Sequence, residues 1–349
     1  MRNALLFLLF HGNSWLNSVF NRTTDCIILN EDCRGVSYYL FTSNLQNNPY
    51  KLDPKVKNSF IKAPLISKKP LVIILHGYTG NVNYSPNMEL RPSYFKKGTY
   101  NIISVDYSEL VKQWCYPSSV YNADLIGKCI ATTVKNLLDE RSEDVSIETT
   151  HVVGFSLGAQ ISGSVGKYFN QYEKRKLPRI TGLDPAMPIF DPYVTSDLYR
   201  LDSNDAEFVQ IIHSRLMTRG IILPSGHLDF YINGGFQAGC NRNISCEHVR
   251  AVEVYAESLN SNKGFWGVPC EINLIKLYCV MSKKDSPKIL LGDDANTNVS
   301  GAAAQNGTAR RRALNSCGTA RNQTAKNHVC AILTLTARQV SAFCLLRSA

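Results

Sequence analysis

Apolar residues in this chain fall in short unbroken runs separated by longer segments of helical periodicity. "PLVIILHGYTGN" (70–81), "YNIISVDYS" (100–108), "VSIETTHVVGFS" (145–156) and "RITGLDPA" (179–186) each read as a strand that ends in turn residues. Between them, 119–140 places Val120, Ala123, Ile126, Ile130, Val134 and Leu137 on one helical face. Continuous apolar strands alternating with amphipathic helices predict an α/β fold with a mainly parallel sheet and helices on both faces. In such folds chemistry collects at the carboxyl ends of the strands.

The turn after the third run carries the first chemical candidate. Gly154-Phe155-Ser156-Leu157-Gly158 has the form of a sharp strand-to-helix turn, in which the glycines permit close packing and the serine is pushed out at the tip. A serine nucleophile needs a base, and the base needs an acid that fixes its tautomer. Asp184 ends the next strand, with Pro185 closing it; its alternative is an Asx-turn residue before proline. Among the seven histidines, His76 and His151 precede the serine, whereas His11 and His328 lie near the ends. His213 ("FVQIIHS") and His227 ("GHLDFY") sit in segments that read as structural. His248, in "SCEHVRAVEVYAESL", is expected on a loop just before a helix, beside a disulfide that would hold it. The order serine, acid, base is that of an α/β-hydrolase.

Composition changes the picture in three places. Eleven cysteines without a C-x-x-C spacing suit paired thiols in an exported chain, and proximity suggests Cys26–Cys33, Cys115–Cys129, Cys240–Cys246 and Cys270–Cys279. Arg2 followed by the apolar block Ala4 to Phe10 reads as a short signal peptide within 1–20, and the sequons at Asn21, Asn83, Asn243, Asn298, Asn306 and Asn322 fit secretion into the extracellular space. The formal net charge is +10, but residues 292–349 hold seven Lys and Arg against two Asp, so half the excess lies there, and no basic run is interleaved with aromatics. A nucleic-acid partner is therefore not expected, while mild positive charge suits an anionic lipid surface. No stretch reaches the ~20 apolar residues of a membrane span. The domain is expected over 21–300, and 301–349, rich in alanine, asparagine and arginine, is expected to be a disordered or atypical tail.

Taken together, "VIILHGYTGN", "VDYS", "HVVGFSLGAQISG", "ITGLDPAMPIF", "RLDSNDAEFVQIIH", "GHLDFYINGG" and "CEHVRAVEVYAES" resemble, in order, the pancreatic-lipase family of neutral lipases and its arthropod phospholipase A1-like members. The resemblance covers roughly residues 30–300 and implies an α/β-hydrolase fold with Ser156 as nucleophile, Asp184 as acid and His248 as base. It implies an oxyanion hole formed by the backbone N–H groups of Tyr78 and Leu157, and no cofactor in the reaction. Asp197, Arg200, Asp202 and Asp205 match positions where some members hold a structural calcium; the alternative is a solvated acidic turn with an internal ion pair. A disulfide-bounded lid is also implied, here Cys240 to Cys246 with five residues, Asn241 to Ser245, between. Such a short loop favours sn-1 cleavage of phospholipid at a lipid–water interface, with peripheral membrane contact only. A triacylglycerol lipase shares every catalytic residue, and a silent lipid-binding or yolk-type protein shares the fold. The sequence carries no signal for an oligomeric state.

Overall fold

The computed structural model describes residues 26–190, 200–273, 278–281, 288–295, 297 and 329–333. In chain order these form β1 (Ser37–Phe41), β2 (Tyr50–Leu52), β3 (Leu71–Leu75), α1 (Asn87–Lys97), β4 (Asn101–Asp106), α2 (Tyr116–Glu140), β5 (Thr150–Phe155) and α3 (Leu157–Glu173). There follow β6 (Leu177–Leu183), β7 (Ala206–His213), β8 (Leu228–Ile232), α4 (Ile244–Ser258), β9 (Phe265–Asn273), β10 (Tyr278–Met281), β11 (Ile289–Leu291) and β12 (Val329–Leu333). The four expected strands and the expected helix are all present, each shorter or longer by a few residues.

One sheet runs β10-β9-β12-β8-β7-β6-β5-β3-β4-β1-β2, with β11 paired to β9. Its centre, from β4 across to β12, is parallel, and both edges are antiparallel. Parallel strands are stable when both faces are covered, and alternate side chains of β3 show how this is met. Leu71, Ile73 and Leu75 enter a cluster with Ile126, Ile130 and Val134 of α2 and Val165 and Phe169 of α3. Val72 and Ile74 enter a second cluster with Leu90 and Tyr94 of α1 and Val252 and Tyr255 of α4. Each fully buried Val, Leu or Ile contributes about 1.5–3 kcal/mol, so the two layers of helices are held by the sheet and hold it in return. This is the α/β-hydrolase architecture. Among the described residues no helix is long and apolar enough to cross a membrane.

Two expectations change. Cys26 pairs with Cys115 and Cys33 with Cys129, across 89 and 96 residues, instead of the neighbours in sequence. Cys115 and Cys129 stand at the start and in the middle of α2, fourteen residues or about 21 Å apart along the axis, far beyond the ~5.5 Å that a disulfide spans. The two bridges instead pin the amino-terminal segment along α2, where Asn122 also takes the Leu29 N–H and donates to Ile27 O, both at 2.8 Å. Cys240–Cys246 forms as expected; Cys270 is buried and disulfide-bonded, and the side chain of its expected partner Cys279 lies outside the described residues. Secondly, Val329–Leu333, within the segment expected to form a tail, adds a strand between β8 and β9. The run "VCAILTL" (329–335) is apolar and β-branched, a local signal masked by the polar composition on either side.

Peptide mapping without reduction is expected to yield Cys26–Cys115 and Cys33–Cys129 peptides. Replacing Cys33 and Cys129 together by serine should lower the unfolding free energy by up to about 4–5 kcal/mol, the loop-closure entropy of a loop this long, read as a lower denaturant midpoint.

Candidate active site

The third strand run ends in Ser156, whose backbone sits at φ 56°, ψ −118°, outside the regions that L-residues favour. Such strain is worth about 1–3 kcal/mol and persists only where surroundings enforce it. Here they do. A Cβ on Gly154 would lie 2.2 Å from Gly158 O, and one on Gly158 would lie 2.4 Å from His76 O. Both glycines of the pentapeptide are thus demanded by contact, the first between β5 and the opening turn of α3, the second between that turn and the end of β3. Ser156 N–H donates to Leu183 O at 2.9 Å and its carbonyl accepts from Ala186 N at 3.1 Å, so the elbow is also tied to the end of β6.

Asp184 follows β6 at φ 44° and is fully buried. A buried carboxylate requires hydrogen-bond donors. It has them: Ser214 N at 2.8 Å and Arg215 N at 3.1 Å on Oδ1, and His248 Nδ1 at 2.5 Å on Oδ2. His248 lies within the second turn of α4, not on the loop before it. The helix begins at Ile244, ahead of His248, because Asn243 caps it, accepting from Cys246 N at 3.0 Å. With Nδ1 donated to Asp184, the remaining nitrogen Nε2 is buried and makes no hydrogen bond. The ring lies 4.7 Å from that of Phe155, the neighbour of Ser156. Ser156, Asp184 and His248 are thereby gathered at one end of the parallel sheet.

Leu157 opens α3, where the first N–H groups of a helix lack intrahelical acceptors and the dipole is positive. Tyr78 follows Gly77, whose Cα faces the Ser156 side chain so closely that a Cβ would stand 3.0 Å from Ser156 Cβ. Gly80 N closes this turn on Gly77 O, and Thr79 N reaches Val111 O, both at 3.0 Å. The Tyr78 ring meets the Tyr116 ring edge-on at 5.0 Å, and Tyr116 donates to Pro188 O. His76 underlies the same turn: Nδ1 donates to Gly77 O, Nε2 accepts from Tyr107 N, and the ring stacks on Tyr107 at 3.9 Å. Burial pushes its imidazole down to about 4, outweighing the attraction of Asp106 at 3.9 Å, so the ring is neutral.

Of the four residues expected to hold calcium, three are described. Asp197 lies outside the described residues. Lys167 Nζ donates to Arg200 O at 2.7 Å and to Asp205 Oδ2 at 3.2 Å, and Asp205 Oδ2 also accepts from Asp202 N. Asp202 Oδ1 accepts from Asn204 N at 2.6 Å. Burial pushes the Asp205 carboxyl up to about 7, against the pull of the Lys167 ammonium. The Arg200 carbonyl and the Asp205 carboxyl thus face a cation of the chain itself, the Lys167 ammonium. Sequence reading missed that Lys167, about three turns along the helix that follows Ser156, would supply this charge. It also missed Gln160, which accepts from Leu201 N and donates to Ala186 O, joining this loop to the one after Asp184. Both lie at helical spacing from Ser156, the one signal that could have marked them.

At the rim, Cys240 and Cys246 bracket the exposed loop 241–245. Ile189, Met217, Phe236 and Ile244, from the loops around Asp184 and the start of α4, are each 40–44% exposed. The Arg215 guanidinium lies over the Phe236 ring at 5.7 Å and pairs with Glu247 at 2.7 Å.

The family model for Lipase matches residues 13–274, and the chain belongs to the lipase family. It is a carboxylic ester hydrolase of the α/β-hydrolase fold. The chain is 35% identical over 264 residues to phospholipase A1 of Vespula maculifrons, covering 72% of this chain and 82% of that one. It is 32% identical over 247 residues to phospholipase A1 of Vespa velutina, covering 67% and 80%. Pancreatic lipase-related protein 2 of Cavia porcellus is 34% identical over 243 residues, 66% of this chain and 53% of that protein.

Neutral His76 generates a pH signature. Its imidazole binds protons more readily unfolded than folded, so its contribution to stability is present above about 6.5 and is lost as pH falls toward about 4. The stability difference between the protein and its His76→Gln variant, measured by thermal melts, should shrink across that window. A constant difference would show that the ring is not held neutral.

Proposed function

We propose that the protein is a secreted phospholipase A1 that cleaves the sn-1 ester of phospholipids through a Ser156–Asp184–His248 triad. The observation that carries the triad is the Asp184–His248 bond at 2.5 Å beside the strained Ser156 elbow. In this reading His248 Nε2 takes the Ser156 hydroxyl proton as the oxygen attacks the acyl carbonyl. The N–H groups of Tyr78 and Leu157 receive the developing oxyanion, each worth a few kcal/mol of barrier. His248 then protonates the departing lysophospholipid, and water, activated by the same imidazole, releases the fatty acid from the acyl-enzyme. No cofactor enters any step.

The choice of phospholipid over triacylglycerol rests on the rim. The bridge from Cys240 to Cys246 encloses five residues, too few for an amphipathic lid helix. Four partly exposed apolar side chains suit shallow contact with a bilayer surface and not the covering of an oil droplet. The wasp relatives carry the name phospholipase A1, which agrees with this choice. Export is supported by the disulfides, since such bridges persist in oxidising compartments. Residues 1–20 serve as the signal peptide and 21–300 as the main body of the catalytic domain, completed by β12.

Fatty-acid release from sn-1-labelled phosphatidylcholine vesicles should fall at least 10³-fold in Ser156→Ala, the scale of losing a triad member, and release from emulsified triolein should be minor. Release mainly from triolein would overturn the substrate assignment, and none from either would overturn the hydrolytic one. Because Lys167 occupies the Arg200 carbonyl and the Asp205 carboxylate, dialysis against EDTA should leave activity and melting temperature unchanged. A fall restored by added calcium would show that the ion displaces the lysine.

A further inference from the structure

His213 and Asp229 form a second histidine–carboxylate contact that the proposed reaction does not use. His213 ends β7 and Asp229 lies in β8, both fully buried, with Nε2 and Oδ1 2.9 Å apart. His213 Nδ1 faces Ile221 O at 3.1 Å. A carbonyl can only accept, so Nδ1 donates, and one proton lies between Nε2 and the carboxylate. Asp229 also takes Ser225 N on Oδ1 at 3.0 Å and Gly226 N on Oδ2 at 3.1 Å. Tyr231 stacks on the imidazole at 4.2 Å with planes 4° apart and donates to Ile222 O.

These bonds all grip one loop, the segment from Ser214 to His227. Its first two residues give Asp184 the backbone N–H groups that hold its carboxylate. Ser214 also donates from its hydroxyl to His248 O at 3.1 Å, and its carbonyl accepts from Gln237. Further along, Gly220 passes so near Asp184 that a Cβ there would stand 2.4 Å from Oδ1. The loop therefore wraps the acid, while His213 at its start and Asp229 just past its end fix both limbs. Two fully buried ionisable side chains are a costly way to fill space, since an apolar pair of similar volume packs as well without desolvation. Their directed hydrogen bonds do what an apolar pair cannot: they set the position of backbone donors one and two residues away.

We propose that His213 and Asp229 are positioning residues for Asp184, holding the loop whose N–H groups orient its carboxylate toward His248. The inference rests on the triad reading above. It differs from a merely structural role because a misplaced Asp184 stabilises the His248 imidazolium less well, lowering the pH at which the base becomes protonated. The charged and titratable groups around the pair are Asp184 and His248 on the side of the elbow, Tyr231 on the ring face, Arg219 and His227 on the loop itself, and Arg215 paired with Glu247.

The test uses the full-length protein with a soluble short-chain p-nitrophenyl ester, in Asp229→Asn, His213→Gln and a control, Val134→Ala, in the core far from this loop. Competent sites are counted by stoichiometric labelling with a p-nitrophenyl phosphonate. If the parent itself is not labelled on Ser156, the triad reading fails and the failure is separate from this one. With the parent labelled, both loop variants should lose 10- to 100-fold in kcat per labelled site with KM within about twofold. The acidic limb of their kcat/KM profile should move to lower pH by at least half a unit. Val134→Ala should lower the melting temperature and move neither quantity. Loop variants that melt earlier but retain kcat per site and an unmoved limb would overturn the proposal. Should both fail to fold, Tyr231→Phe, which removes only the bond to Ile222, is read the same way: a limb displaced to lower pH sustains the proposal and an unmoved limb overturns it.

Discussion

A carboxylate with no exposed surface organises this molecule. Asp184 can stay inside only if donors surround it, and those donors come from the turn after β7 and from α4, while its own backbone N–H is tied to Ile212 O of β7. Strands β6 and β7 and helix α4 thus have their ends fixed relative to one another around a single group. The serine elbow is joined to the same construction, because Ser156 bonds both Leu183 and Ala186 on either side of the acid. Removing the charge would leave the loops without a common centre; removing any donor would leave a buried anion partly unmet.

Packing supplies the rigidity that this arrangement needs. Helices on both faces press the parallel strands together, and the two glycines of the elbow allow backbone to approach backbone where any side chain would collide. The strain at Ser156 is therefore sustained by burial elsewhere. Neutral His76 beneath the Gly77–Tyr78 turn does similar work there, satisfying Tyr107 N without carrying a charge.

Legibility in the sequence followed the range of the interactions. The elbow could be read because its geometry is local: five residues state the turn, and the runs around them state strand and helix. Asp184 and His248 could be read from order, since a strand-ending acid and a later histidine recur in that sequence along such folds. The element carrying His248 was misjudged, because the capping of α4 by Asn243 depends on a side-chain bond and not on periodicity. Disulfide partners were misassigned because Cys33 and Cys129 meet only after 96 residues of folding. Lys167 standing on the expected calcium ligands, and His213 paired with Asp229, arise from contacts between elements, for which the chain carries no local mark. Reading His213 as part of a strand placed it properly but could not reveal what its ring would meet.

If Ser156 is the nucleophile, substrate acylates it. Incubating the protein with a slowly deacylated ester, quenching in acid and mapping the peptides by mass spectrometry tests it directly. One acyl group per chain is expected on the peptide that contains Ser156, absent when His248 is replaced by Gln. An acyl group on another residue, or turnover of the ester with Ser156 never modified, would contradict it.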